Sequence, residues 1–119
     1  MRKLIVLVGL AALISAPAAL AKERNVSMIG APAAPRAGQA WNATISVKMD
    51  GHYTIGKAPA VRLINAAGKS LTIVSTATSK AGIYRARLMF PTAGMWRVLV
   101  LDLQTGRSYE FHRMQVRAT

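Results

Sequence analysis

Cysteine is absent from the 119 residues, which excludes a disulfide framework and attachment of a lipid through a cysteine. Acids are nearly as scarce, with four Asp and Glu against sixteen Lys and Arg, for a formal net charge of +12. They are Glu23, Asp50, Asp102 and Glu110, so the chain has no closely spaced carboxylate pair for acid–base work. It also has no G-x-S-x-G elbow. A Ser–His–Asp triad would have to be assembled from two histidines and these few acids, which argues against an enzyme and leaves no catalytic residue to name. Gly68-Lys69-Ser70 ends like a phosphate-binding loop, but Leu63 stands where that loop's first glycine belongs, and the segment reads as a hairpin turn. Long apolar runs are missing too. The one candidate, Leu4 to Ile14, is too short to span a bilayer comfortably.

That short run has another reading. Met1-Arg2-Lys3 supplies a basic start, Leu4 to Ile14 an apolar stretch, and Ala19-Leu20-Ala21 a small-x-small cleavage pattern. Residues 1–21 are therefore expected to be a signal-peptide helix, and residues 22–119 one small exported domain with no transmembrane span after cleavage. The expected compartment is the bacterial periplasm. Losing Arg2 and Lys3 still leaves fourteen basic residues against four acids. The field of such a domain draws anionic partners such as phospholipid head groups, lipopolysaccharide or an acidic envelope protein. Export makes nucleic acid the least expected of them.

What fills the domain is alternation. Trp41, Ala43, Ile45, Val47 and Met49 alternate with Asn42, Thr44, Ser46 and Lys48, the signature of a half-buried strand. Tyr84, Ala86, Leu88 and Phe90 alternate with Arg85, Arg87 and Met89. Pro91-Thr92-Ala93-Gly94 then makes a tight corner. In the strand that follows, Trp96, Val98 and Val100 oppose Met95, Arg97, Leu99 and Leu101, predicting a central strand with both faces at least partly covered. Further strands are marked by Val26 and Met28 (an edge), Val61 and Leu63, Leu71 and Ile73, and Arg107 to about Arg117. In the last, Tyr109 and Phe111 fall out of phase with Met114 and Val116, so a bulge is expected near His112-Arg113. Ala31 to Gly38 reads as an extended linker, while His52 to Pro59 and Ser75 to Gly82 read as loops. About seven strands without a helix predict an all-β, immunoglobulin-like antiparallel β-sandwich. Its expected core is Trp41, Ile45, Val47, Val61, Leu63, Ile73, Tyr84, Leu88, Phe90, Trp96, Val98, Val100, Tyr109 and Phe111.

Two residue sets carry chemistry. Met49-Asp50-Gly51-His52 and His112-Arg113-Met114 each pair imidazole with a thioether, a donor set that suits copper. With Met89, this makes His112, Met114, His52, Met49 and Met89 the candidate metal ligands. His112 and Met114, two apart on a strand, share a face. The second set is Arg85, Arg87 and Arg97, aligned with Lys48 or Arg113 as a row able to hold phosphate or carboxylate groups.

The corner also resembles a known family. Gly82-Ile83-Tyr84, then Phe90, then Gly94-Met95-Trp96-Arg97-Val98 is similar to the "G-x-Y … F … G-x-W-x-V" signature of YtkA-like and FixH-like periplasmic domains. The likeness covers mainly Ala60 to Gly106. It implies an immunoglobulin-like sandwich and, for some members, a place beside metal transport or oxidase assembly. Many members carry an M-P-x-M-x-H segment before the G-x-Y strand, where this chain has Ile73 to Lys80 without Met or His. The His112-x-Met114 pair, with Met89 upstream, also resembles part of the copper motif of PCuAC-type chaperones, but Thr78 stands where a further methionine belongs. The function expected from these readings is an exported, non-enzymatic binding or accessory module without a cofactor. It would recognise an envelope protein or anionic surface through a strand edge or basic face. The alternative is a copper-binding or copper-delivery protein.

Overall fold

The alternation of Ala40–Met49 becomes the longest strand among the described residues, burying Trp41, Ala43, Ile45 and Val47 and turning Asn42, Thr44, Ser46 and Lys48 outward. The structure is a computed structural model that describes residues 24–54 and 56–119. The expected signal segment 1–21 and the start at Lys22 lie outside the described residues. Nine strands are described: β1 (Arg24–Ile29), β2 (Ala40–Met49), β3 (His52–Tyr53), β4 (Ala60–Asn65), β5 (Ser70–Val74), β6 (Thr76–Ala77), β7 (Ile83–Met89), β8 (Gly94–Leu101) and β9 (Ser108–Val116). Among the described residues no helix is long and apolar enough to cross a membrane.

Every strand pairing is antiparallel, and the strands form two sheets. The first runs β1-β2-β7-β6 with β3 on the end of β2, and the second runs β5-β4-β8-β9. This is the immunoglobulin-like arrangement, with an extra strand beside the third one of the chain's seven longer strands. The chain crosses between sheets at Ser75, whose buried N–H and hydroxyl are both satisfied by donating to the Pro59 carbonyl, at 2.9 and 2.6 Å. It crosses again at Pro91–Gly94, so β7 and β8 lie in different sheets and do not pair.

The core follows from the two inner faces. Phe90 is fully enclosed, its ring 5.9 Å from Trp41 and 5.7 Å from Trp96. Each such side chain contributes roughly 1.5–3 kcal/mol when buried. The Trp96 indole N–H donates to the Thr92 carbonyl at 2.9 Å and so pins the corner. The Trp41 indole N–H is buried with no hydrogen-bond partner among the described residues.

Eleven of the fourteen expected core residues are buried, whereas Ile73, Tyr109 and Phe111 are half-buried on strands at the sheet's edges. The two expected loops each contain a short strand: His52–Tyr53 folds back on Lys48–Met49, and Thr76–Ala77 pairs with Tyr84 and Arg85. The bulge in β9 is present, but the extra residue is Phe111, because Val98 pairs with His112 and Leu99 with Glu110. β8 is central, yet its outer face is only half covered, with Met95 exposed and Arg97, Leu99 and Leu101 half-buried. The linker is not extended throughout: it bends at Ala33 and Ala34, makes a parallel bridge from Arg36 to Arg117, and turns at Ala37 and Gly38, where the Gln39 N–H donates to the Arg36 carbonyl at 3.2 Å.

Candidate functional site

The four candidate arginines divide between the two sheets. Arg85 and Arg87 point out of the first sheet, opposite Thr44 and Asn42. Arg97 and Arg113 point out of the second, on the other side of the sandwich, where they pair across β8 and β9. They cannot form one row. Parity along each strand fixes outward against inward, and the crossover at Pro91–Gly94 turns outward into opposite directions.

On the second sheet Glu110 offsets only part of the positive charge of Arg62, Arg97 and Arg113. Glu110 accepts from Arg97 Nη2 at 2.7 Å and from Arg113 Nε at 3.0 Å. The hydrogen bonds from Arg97, then from Arg113, hold its carboxyl below the ordinary range despite a small opposing cost of desolvation. A second carboxylate is enclosed between the sheets. Asp102 is 2% exposed and accepts from Arg24 on the neighbouring edge strand, with the Arg24 Nη2 contact at 3.1 Å, and from the Gln104 N–H at 3.0 Å. Burial pushes this carboxyl up, but the Arg24 bonds, the Gln104 N–H and the charge of Arg24 together bring it below the usual range. The same pairing raises Arg24. These acids are occupied in structural pairs.

The outer face of the first sheet differs. Its residues are Asn25, Ser27 and Ile29 on β1, Asn42, Thr44, Ser46 and Lys48 on β2, and Ile83, Arg85, Arg87 and Met89 on β7. None is an acid, and Asp50 sits beyond them in the β2–β3 turn. Arg85 and Arg87 are exposed and make no ion pair among the described residues. Being two apart on a strand, they stand about 7 Å from one another. Tyr53 projects from β3 onto the same face, half exposed, with the Lys48 ammonium 4.6 Å from its ring centre. Lys80 closes this end, lining one recess of about 510 Å³ with Tyr53, Ala81 and Ile83 and another of about 370 Å³ with Thr78, Ser79, Ile83 and Arg85. Arginine, lysine, hydroxyl and one aromatic ring together suit phosphate-bearing groups. Tyr53 and Lys80 escaped the sequence reading because they lie on segments without a period.

The five candidate metal ligands do not converge. Met89 pairs with Ala40 and Met49 lies nine residues further along β2, so they stand about 30 Å apart. His52 is exposed and pairs with Met49 across the hairpin turn. His112 and Met114 belong to the second sheet, where both line a cleft beside residues 31–35. Met49 lines a different recess, with Arg24, Thr105, Arg107 and Tyr109. His112 and Met114 do share a cleft, as their spacing predicts, and form a two-donor pair apart from the other three candidates. Among the described residues no three His, Asp or Glu stand together as a metal site. The five candidates therefore do not form one shared site.

Compared with known proteins, the chain matches no family model and none of the curated proteins.

Proposed function

We propose that this chain is an exported, non-enzymatic binding module of the bacterial periplasm, and that it docks on an anionic envelope surface through the outer face of its first sheet. The observation that carries this reading is the distribution of charge. Arg85, Arg87, Lys48 and Lys80 gather on or beside a face without a carboxylate, whereas Asp102 and Glu110 are committed to pairs elsewhere. A basic residue held near an anionic membrane surface contributes about 1 kcal/mol, so four acting together give a reversible, useful affinity. The YtkA-like and FixH-like reading of the corner agrees with a sandwich used as a docking module, and it rests on the motif residues alone. A non-enzymatic role is in keeping with the two described carboxylates whose partners are structural.

The test is co-sedimentation with vesicles. Vesicles containing phosphatidylglycerol should bind the protein and neutral phosphatidylcholine vesicles should not. The double substitution Arg85→Ala and Arg87→Ala should weaken binding about thirtyfold, on roughly 1 kcal/mol per cation. Arg97→Ala, on the opposite face, should leave it unchanged. Equal binding to neutral vesicles, or an unaffected double variant, would refute the reading.

A further inference from the structure

β9 is the outer strand of the second sheet, and its far end is already partnered by the linker. The Arg117 N–H donates to the Pro35 carbonyl at 2.9 Å, and its carbonyl accepts from the Ala37 N–H at 2.8 Å. This single parallel step at Arg36 shows that the edge accepts a strand. The linker cannot prolong it. Pro35 and Pro32 have no N–H to offer, and the chain swings away toward β1. What remains is a cleft of about 450 Å³ between residues 31–35 and residues 112–115 of β9, with Arg117 just beyond the strand.

The backbone groups facing that cleft follow from the ladder. In an antiparallel pair, successive residues point their N–H and C=O alternately toward and away from the partner strand. Arg117 points away from β8, since it bonds the linker, and therefore so do Gln115 and Arg113. Among the described residues neither of them bonds the linker backbone. Their groups are open, as at any strand edge that can be extended. Pro32, Ala33 and Met114 give the cleft apolar walls, while Arg117 charges its rim. Arg117 and the neighbouring Arg36 have no ion pair among the described residues, and Glu110, the acid of this strand, is held by Arg97 and Arg113.

We propose that this cleft binds an extended acidic peptide, which adds to the edge of β9 through the backbone of Arg113 and Gln115 while its carboxylates meet Arg117 and Arg36. Strand addition takes its affinity from main-chain bonds and its selectivity from the side chains alongside. A second copy of this chain is a poor occupant, because sixteen basic residues against four acids repel it. The site lies on the other sheet from the proposed lipid-binding face, so the two stand or fall separately.

Fluorescence anisotropy, without vesicles, tests this with a labelled octapeptide alternating Glu and Val. That peptide should bind, and the analogue with Lys for Glu should not. A version N-methylated on alternate residues should bind about tenfold more weakly, the loss expected for two hydrogen bonds. Gln115→Pro removes an N–H that points away from β8 and should weaken binding similarly, as should Arg117→Glu. Arg85→Ala with Arg87→Ala should have no effect, which separates this site from the lipid-binding face. In the unmodified protein, the Arg113 and Gln115 amides should gain protection from hydrogen exchange when the peptide is present. The proposal is overturned if the N-methylated peptide binds as tightly as its parent, if those two amides are not protected, or if the Glu–Val peptide fails to bind at millimolar concentration.

Discussion

At Asp102 a carboxylate that ends an apolar strand is enclosed between the sheets and meets Arg24 from the neighbouring edge. Removing one partner of such a pair leaves the other charge buried and uncompensated, which costs about 3–5 kcal/mol. Asp102→Asn should therefore lower the urea midpoint clearly at pH 7. The pH dependence has a definite sign. Because the folded carboxyl titrates below its ordinary range, its contribution is complete above the unfolded value of about 3.9 and disappears as pH falls through the lower folded value. Acidification from pH 5 toward 2 should then destabilise the natural chain more than the Asn variant, which has no such proton to take up. Glu110, also held low by Arg97 and Arg113, remains in both chains and largely cancels in the comparison. Equal midpoints at pH 7 would sink the assignment. Nothing local in the sequence announced this pair, since its members stand 78 positions apart and neither belongs to a motif.

Among elements, the hairpin of β2 and β3 explains why the Gly82-Ile83-Tyr84 corner begins with glycine. Gly82 has φ +76°, and its carbonyl accepts from the Val47 N–H at 2.8 Å. A Cβ there would lie 2.8 Å from the Val47 carbonyl oxygen and 2.9 Å from the Tyr53 Cβ. Gly82→Ala combines backbone strain with a clash and should cost roughly 2 kcal/mol. It should also lift β3 off the sheet, seen as faster exchange of the Thr54 amide, which donates to the Val47 carbonyl at 3.2 Å. Unchanged stability and exchange would mean the hairpin is not held there. Strands long enough to repeat, such as Ala40–Met49 and Ile83–Met89, were legible because alternation needs several residues to declare itself. The two-residue strands β3 and β6 have no period to read. The bulge in β9 was legible as a slip of phase, although only the pairing of Val98 with His112 and Leu99 with Glu110 identifies Phe111 as the extra residue. The candidate site was legible in part. Arg85 and Arg87 were placed outward correctly, but alternation carries no information on which sheet a strand joins. Arg97 was therefore assigned to a face that lies on the opposite side of the molecule.

For the whole molecule, the uneven placement of charge predicts how folding and docking respond differently to salt. Folding depends on an apolar core around Phe90, Trp41 and Trp96 and on one enclosed ion pair, neither of which salt screens strongly. Docking on an anionic surface depends on exposed cations at Arg85, Arg87, Lys48 and Lys80. Raising the ionic strength from about 0.1 to about 1 M shortens the screening length from roughly 10 to roughly 3 Å, less than half the spacing of Arg85 and Arg87. Binding to phosphatidylglycerol vesicles should then be almost abolished while the urea midpoint stays nearly constant, measured on one sample across the same salt series. The double Arg85→Ala, Arg87→Ala variant should show a shallower dependence on salt because it has fewer charges to screen. Binding that survived 1 M salt would mean that Ile83, Met89 and Tyr53 insert into the apolar part of the bilayer, and that the face works by burial of apolar surface instead of by charge.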